Sequence, residues 1–416
     1  MTGRSLADWL EYIEQQHPRA IALGLERVAE VHSRLEIKIT QPVITVGGTN
    51  GKGSTCAMLE AILGCAGYRA GLYSSPHLLR YNERVRVAGR EADDAALAEA
   101  FAAVERARGA VPLTYFEFGT LAAFFLFSKE NIEVAILEVG LGGRLDAVNV
   151  VDADCAILTS VAIDHVEYLG STREDVGREK AGIFRSGKAA VVADPQPPES
   201  ILQEIRKINA RPLLIGRDFG YSAQASQWSY WGPAGRRPGL AHPALRGAIQ
   251  LRNASAALAA LDALRDRLPL AMQEVRRGLA EVSLPGRFQV LPGRPQVVLD
   301  VAHNPEAAAA LAANLAASGF APETIAVFGM LRDKDVAGVV RAVAPHITRW
   351  HLATLPGPRG ADARFLSSIF LEMQIRTPAA EHDTVAAALA AARSEANEND
   401  KIVVFGSFLT VAGAYG

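Results

Sequence analysis

Between the apolar run VITV and the helical pattern STCAMLEAILGCAG lie four glycines, Thr49, Asn50 and a single lysine, Lys52, in the stretch VGGTNGKGST. Successive backbone N–H groups ahead of a helix form a cradle for an anion, and a lysine inside that cradle adds a point charge. The stretch departs from the usual phosphate-loop pattern twice. Val46 stands where the first glycine is expected, and Gly53, without a hydroxyl, follows Lys52. A hydroxyl for a triphosphate-bound metal must therefore come from elsewhere in the chain. A carboxylate is offered by VAILEVGLGGRLDAVN, an apolar strand ending in Glu138, the placement of a Walker B acid. Ser75 in YSSPH and His165 in TSVAIDHVEYLG also follow short apolar runs. Spacing alone equally fits plainer roles: Glu138 as a turn cap, His165 as a structural histidine, Lys180 in GREKAGIF as a solvated helix lysine.

The elements that must hold these side chains are nearly continuous apolar strands: PVITVGG (42–48), AGLYSS (70–75), EVAILEVG (133–140), CAILTSVAI (155–163) and AAVVAD (189–194). Spaced by helical patterns, they predict a parallel sheet covered on both faces. In such a sheet the C-terminal strand ends converge on the ligand crevice, which makes Gly51–Ser54, Ser75, Glu138 and His165 neighbours if their strands are adjacent. Ser5 with Asp8 predicts a capped first helix that Pro18 closes. Residues 216–247, rich in Ser, Gly, Trp, Tyr and Pro, read as short antiparallel strands or loops, and a helix follows at 252–265. The Pro-Gly clusters of VSLPGRFQVLPGRPQ (282–296) mark a boundary, after which the alternation restarts in QVVLDVAHN, TIAVFGML, WHLATL and KIVVFGSF. The expectation is two α/β domains, residues 1–284 and 285–416.

A chain of 416 residues, 49% hydrophobic and 21% charged, suits two globular cores. The formal net charge of -2 gives no hint of a nucleic-acid or anionic-membrane partner. No apolar run reaches membrane-spanning length. The acidic N-terminal stretch does not resemble a signal peptide. Cys56, Cys65 and Cys155 form no metal-binding spacing and suggest a reducing compartment. The expectation is a cytoplasmic protein with neither nucleic acid nor membrane as partner.

Ten blocks in order, GGTNGKGST, YSSPHLLRYNERVRV, TYFEFGTLAAFFLF, LEVGLGGRLDAVN, TSVAIDHVEYLG, GREKAGIF, LPGRFQV, LDVAHNP, GMLRDKD and GSFLTV, resemble the bacterial dihydrofolate synthase/folylpolyglutamate synthases. These are Mur-ligase-like, ATP-dependent amide ligases. The resemblance runs from about Leu6 to Val411. It implies a parallel-sheet, P-loop ATPase domain that also binds pterin, then a smaller Rossmann-like α/β domain that serves the glutamate ligation. Thr49, Asn50, Gly51, Lys52, Gly53 and Ser54 match ATP contacts, as do Asn253, Arg287 and Asp300. Two Mg2+ sites are implied, with Ser75 and Glu138 at one and His165 at the other. Lys180 matches a lysine that is carbamylated in the family and then acts as a metal ligand. Lys52, Lys180 and His165 are thus the expected catalytic residues.

On the pterin side, Arg19, Ala20, Ile21 and Ala22 match one wall of the pocket. Thr114, Tyr115, Phe116 and Glu117, with Leu145, Asp146 and Ala147, match the others. Bifunctional relatives carry Asp at the position of Ala22. His303 and Ser407 match the place of the incoming glutamate. The implied partners are dihydropteroate, tetrahydrofolates, L-glutamate and ATP, and the implied state is a monomer. The implied reaction forms an amide through an acyl phosphate. Two further readings are a folylpolyglutamate synthase without dihydrofolate synthase activity and a non-catalytic ATP-binding regulator. A cell-wall Mur ligase fits less well, because only about 40 residues precede the loop.

Overall fold

The computed structural model describes residues 4–19 and 21–415. The chain folds as two units: one of residues 1–244 and 251–282, the other of residues 245–250 and 283–416.

In the first unit, eight strands form one sheet: β1 (Val43–Gly47), β2 (Ala70–Tyr73), β3 (Val85–Val87), β4 (Arg90–Glu91), β5 (Val134–Glu138), β6 (Cys155–Leu158), β7 (Ala189–Val192) and β8 (Arg211–Leu214). Their order is β4-β3-β2-β5-β1-β6-β7-β8. From β2 to β8 every pairing is parallel, while β3 and β4 add an antiparallel edge. The central strands are buried along their whole length, as expected where helices cover both faces. Phe118, Phe124 and Phe127 of the helix Tyr115–Lys129 pack into this core, together with Leu6, Trp9 and Ile13 of the first helix. That first helix, Leu6–Glu14, begins with the capping box expected at Ser5 and Asp8. Residues 216–247 hold a three-stranded antiparallel sheet, β9 (Gly220–Ala223), β10 (Gln227–Gly232) and β11 (Gly235–Ala241), ordered β11-β10-β9. The helix Gln250–Ala263 follows, and then Met272–Glu281. The latter lies against the helix Lys52–Cys65 so closely that a Cβ on Gly278 would fall 2.5 Å from the Ile62 Cα.

The second unit has a six-stranded sheet: β12 (Gln289–Leu291), β13 (Gln296–Asp300), β14 (Thr324–Phe328), β15 (Arg349–Ala353), β16 (Ala379–His382) and β17 (Lys401–Phe405). The order is β12-β13-β17-β14-β15-β16, with β12 alone antiparallel to its neighbour. Its core gathers Phe328, Trp350, Phe370 and Phe405, with the Trp350 and Phe370 rings edge to face at 4.9 Å. Among the described residues, no helix is long and apolar enough to cross a membrane.

Candidate active site

Because β1 lies between β5 and β6, and β2 lies beyond β5, the loops leaving these four strands share one edge of the sheet. The glycine-rich loop leaves β1 and enters the helix Lys52–Cys65. Its turn needs Gly51 at φ +92°, in the left-handed region, and there a Cβ would meet Asn253 Oδ1 at 2.6 Å. Asn253 is buried in the helix Gln250–Ala263, so the structure brings this predicted ATP contact against the loop itself.

The loop after β6 braces the cradle. Thr49 N donates to Ser160 O at 2.8 Å, and Asn50 N donates to Ser160 Oγ at 3.0 Å. Thr159 Oγ1 donates to Asn50 O at 2.7 Å. Thr49 Oγ1 meets Ala162 from both sides, accepting from its N at 3.0 Å and donating to its O at 3.1 Å. Sequence reasoning did not single out Thr159 and Ser160. Their only signal was two hydroxyl residues closing the apolar run CAIL.

Lys52 Nζ donates to Gly48 O at 3.1 Å and Thr49 O at 3.2 Å. Lys180 reaches the same carbonyl from the helix Arg173–Ala181, its Nζ donating to Gly48 O at 3.0 Å. It is 4% exposed, which removes it from the solvated face that its spacing alone suggested. Withdrawal from water, with the Lys52 charge beside it, pulls the Lys180 amine down to about 7. Glu138 ends β5 buried, and its Oε2 accepts from Ser75 N at 3.3 Å, so these two predicted metal ligands are adjacent. His165 stands at φ +52° at the start of the short helix Val166–Leu169, with its N donating to Asp164 Oδ1 at 2.8 Å.

In the same unit a cavity of about 240 Å³ takes one wall from Ile21, Ala22 and Leu23. A second wall comes from Thr114, Phe116 and Glu117, and a third from Leu145, Asp146 and Ala147. Ser75, Arg84 and His165 belong to its lining too, so the cavity borders the predicted metal ligands. Most residues expected on the pterin side therefore meet. Of the others, Arg19 is exposed outside the wall, and Tyr115 packs against Tyr81 with its ring near the Arg84 guanidinium. Ala20 lies outside the described residues.

The charges in these walls are largely committed. Glu117 closes the capping box of the helix Tyr115–Lys129, its Oε2 accepting from Thr114 N at 2.7 Å. Its Oε1 accepts from Arg27 at 2.7 Å, and the same Arg27 donates to Ala22 O at 2.7 Å. Asp146 accepts from Leu141 N at 2.8 Å and Val148 N at 3.1 Å, yet burial still raises its carboxyl to about 6.

The second unit gathers its predicted residues at the ends of the paired strands β13 and β17. Asp300, half-buried, accepts from Phe288 N at 2.9 Å and Ala302 N at 2.8 Å, and desolvation raises it to about 6. Arg287 lies 5.1 Å over the Phe408 ring, with the His303 ring 6.2 Å from the same phenyl. Ser407 is the N-cap of the helix Phe408–Ala412, its Oγ accepting from Thr410 N at 3.0 Å.

Among the described residues, no three His, Cys, Asp or Glu side chains form a metal cluster by themselves. The predicted donors carried at these strand ends are a hydroxyl, one carboxylate, one imidazole and a buried amine. A hard divalent cation would take such a mixed oxygen and nitrogen set only if phosphate oxygens or water completed its shell.

In comparison with known proteins, residues 46–261 match the Mur ligase middle domain and residues 286–408 match the Mur ligase, glutamate ligase domain. The dihydrofolate synthase/folylpolyglutamate synthase of Escherichia coli (strain K12) is 46% identical over 408 residues, which cover 98% of this chain and 94% of that protein. The structure of E. coli FolC in complex with DHPP and ADP is similar at a TM-score of 0.95 and 45% identity, covering 99% of this chain and 97% of that one. A bifunctional folylpolyglutamate synthase/dihydrofolate synthase with Mn, AMPPNP and L-glutamate bound is similar at a TM-score of 0.91 and 45% identity, covering 99% and 97%.

Proposed function

From the premise that this chain belongs to the Mur ligase family, and within it to the dihydrofolate synthase/folylpolyglutamate synthases, we propose that it joins L-glutamate to pterin carboxylates with ATP. Dihydropteroate gives dihydrofolate, and tetrahydrofolates give their polyglutamates. One observation carries this reading beyond the family. The apolar cavity and the phosphate cradle meet through shared residues, because Ser75 lines the cavity while its N–H is held by Glu138 on the strand beside the loop.

That adjacency suits the chemistry. A carboxylate has no leaving group at neutral pH. Transfer of the γ-phosphoryl group converts it into an acyl phosphate, the glutamate amine attacks the acyl carbon, and the tetrahedral intermediate expels phosphate. Phe116, Leu145 and Ala147 offer apolar surface to a flat pterin ring, while the buried carboxyl of Asp146 offers it a polar partner. The backbone N–H groups at the start of the helix Lys52–Cys65 receive phosphate oxygens, and Lys52 exchanges its carbonyl partners for the β- and γ-phosphates. A divalent ion, Mg2+ in this proposal, would neutralise charge on the triphosphate and on the transferring group when bound. Ser75 and Glu138 would hold one ion. His165 and a carbamylated Lys180 would hold a second.

In the second unit we assign Arg287 and Asp300 to the nucleotide, and His303 and Ser407 to glutamate. Family likeness supports these assignments, as does their gathering at one sheet end. Use of ATP and three free thiols support a cytoplasmic location.

The test is glutamate-dependent ADP release, run in parallel with dihydropteroate and with a reduced folate. Both substrates should support turnover, and Lys52→Ala should lose at least about a hundredfold in either assay while its circular dichroism is unchanged. ADP release independent of glutamate would sink the ligase reading. Turnover with the folate alone would remove the dihydrofolate synthase half.

A further inference from the structure

Arg84 is the one lysine or arginine among the described residues that line the cavity. It is firmly placed. β2 and β3 pair antiparallel with Tyr73 opposite Val85, and Ser74 N donates to Arg84 O at 2.9 Å. Arg84 therefore stands beside the segment that carries Ser75, at the end of the cavity where the carboxylate must react. Its Nε donates to His77 Nδ1 at 2.8 Å, and the guanidinium lies 5.3 Å from the Tyr81 ring centre and 5.4 Å from that of Tyr115. The accepting Nδ1 requires a neutral His77 with its proton on Nε2, and burial beside the guanidinium accordingly holds this histidine down at about 4. Among the described residues, the two terminal nitrogens of Arg84 have no acceptor, whereas the cavity carboxylates are already occupied by backbone N–H groups and by Arg27.

The two substrates differ at this end of the cavity. Dihydropteroate brings one carboxylate, which is consumed as the acyl phosphate. A folate brings two, because its terminal glutamate keeps an α-carboxylate that stays anionic throughout the reaction. An anion in a mainly apolar cavity requires a paired cation, and a planar guanidinium fits a carboxylate with two parallel hydrogen bonds. A guanidinium held on the reacting carboxylate itself would withdraw electron density from the oxygen that must attack phosphorus.

We propose that Arg84 binds the non-reacting α-carboxylate of folate substrates, and so determines how well the enzyme extends a folate without equally affecting dihydropteroate. This inference rests on the ligase reading above.

The test compares KM and kcat for tetrahydrofolate and dihydropteroate in the wild type, Arg84→Gln and Arg84→Lys. Loss of a charge-assisted hydrogen bond should raise the tetrahydrofolate KM about 10- to 100-fold in Arg84→Gln and less in Arg84→Lys, with dihydropteroate shifting by under about threefold. A ligand-side arm needs no variant: tetrahydrofolate carrying an α-amide should lose the same factor on the wild type, and Arg84→Gln should not distinguish amide from acid. Equal losses with both substrates, or none with either, would overturn the proposal. Calorimetric binding of tetrahydrofolate against tetrahydropteroate, identical except for the glutamate, separates the two readings. If the wild type ligates neither substrate but still prefers the glutamylated ligand through Arg84, the ligase reading fails and the subsite stands.

Discussion

Two amines converge on a single carbonyl oxygen, since Lys52 and Lys180 both donate to Gly48 O. Two full ammonium charges so close together, one of them buried, repel each other. Shifting one amine towards its neutral form relieves the repulsion, and burial singles out Lys180. A neutral buried amine adds carbon dioxide, forming a C–N bond and releasing a proton, and the product carries a negative charge where a positive one stood. For wild-type protein in carbon-13 bicarbonate we expect a carbamate carbon signal that Lys180→Met lacks. The same variant should lose ligation by at least about a hundredfold. Full activity in Lys180→Met, or an unchanged spectrum, would count against a carbamate at this position. Lysine spacing in GREKAGIF gave no sign of this environment. A helix position becomes buried only through what packs over it, and here that is the loop after β1. Arg84 was equally silent in the sequence, because its role depends on an antiparallel edge that brings it back beside Ser75.

At the scale of elements, the glycine-rich loop works because the segment after β6 presses on it. Gly48 sits at φ +143°, and a Cβ there would lie 1.9 Å from Thr159 Oγ1 and 3.0 Å from Thr159 N. Gly48→Ala should therefore destabilise the first unit by about 2 kcal/mol or more and abolish nucleotide binding. Gly67→Ala is the control. Gly67 also has positive φ, at +87°, but nothing lies within 4 Å of its Cβ position. It should cost only about 1 kcal/mol of backbone strain and leave ADP binding intact. Thermal unfolding with and without ADP reads both effects, and similar losses in the two variants would contradict the bracing role of Thr159. The central strands were legible in the sequence because burial on both faces leaves unbroken apolar runs. The edges were not. β4 is the exposed pair Arg90–Glu91, β16 is the mostly exposed AAEH, and β12 lies inside the Pro-Gly segment that marks the domain boundary. An edge strand packs on one side at most, so its composition carries little pattern.

For the whole molecule, the order of the chain differs from the order of the units. The polypeptide leaves the first unit after residue 244, spends six residues in the second, and returns for residues 251–282. The returning segment supplies Asn253 against Gly51 and the Gly278 contact with the helix Lys52–Cys65. A fragment ending at 244 should fail to bind ADP and should expose apolar surface to a fluorescent dye, whereas one ending at 282 should bind ADP, as calorimetry would show. ADP binding by both fragments would mean that the returning helices are dispensable to the phosphate loop. The same threading bears on descent. A recombination joint near residue 244 would strand part of the nucleotide-binding half in the wrong gene, while a joint at 282 inherits it nearly whole. Only the later seam lets the two halves be exchanged between lineages as working parts.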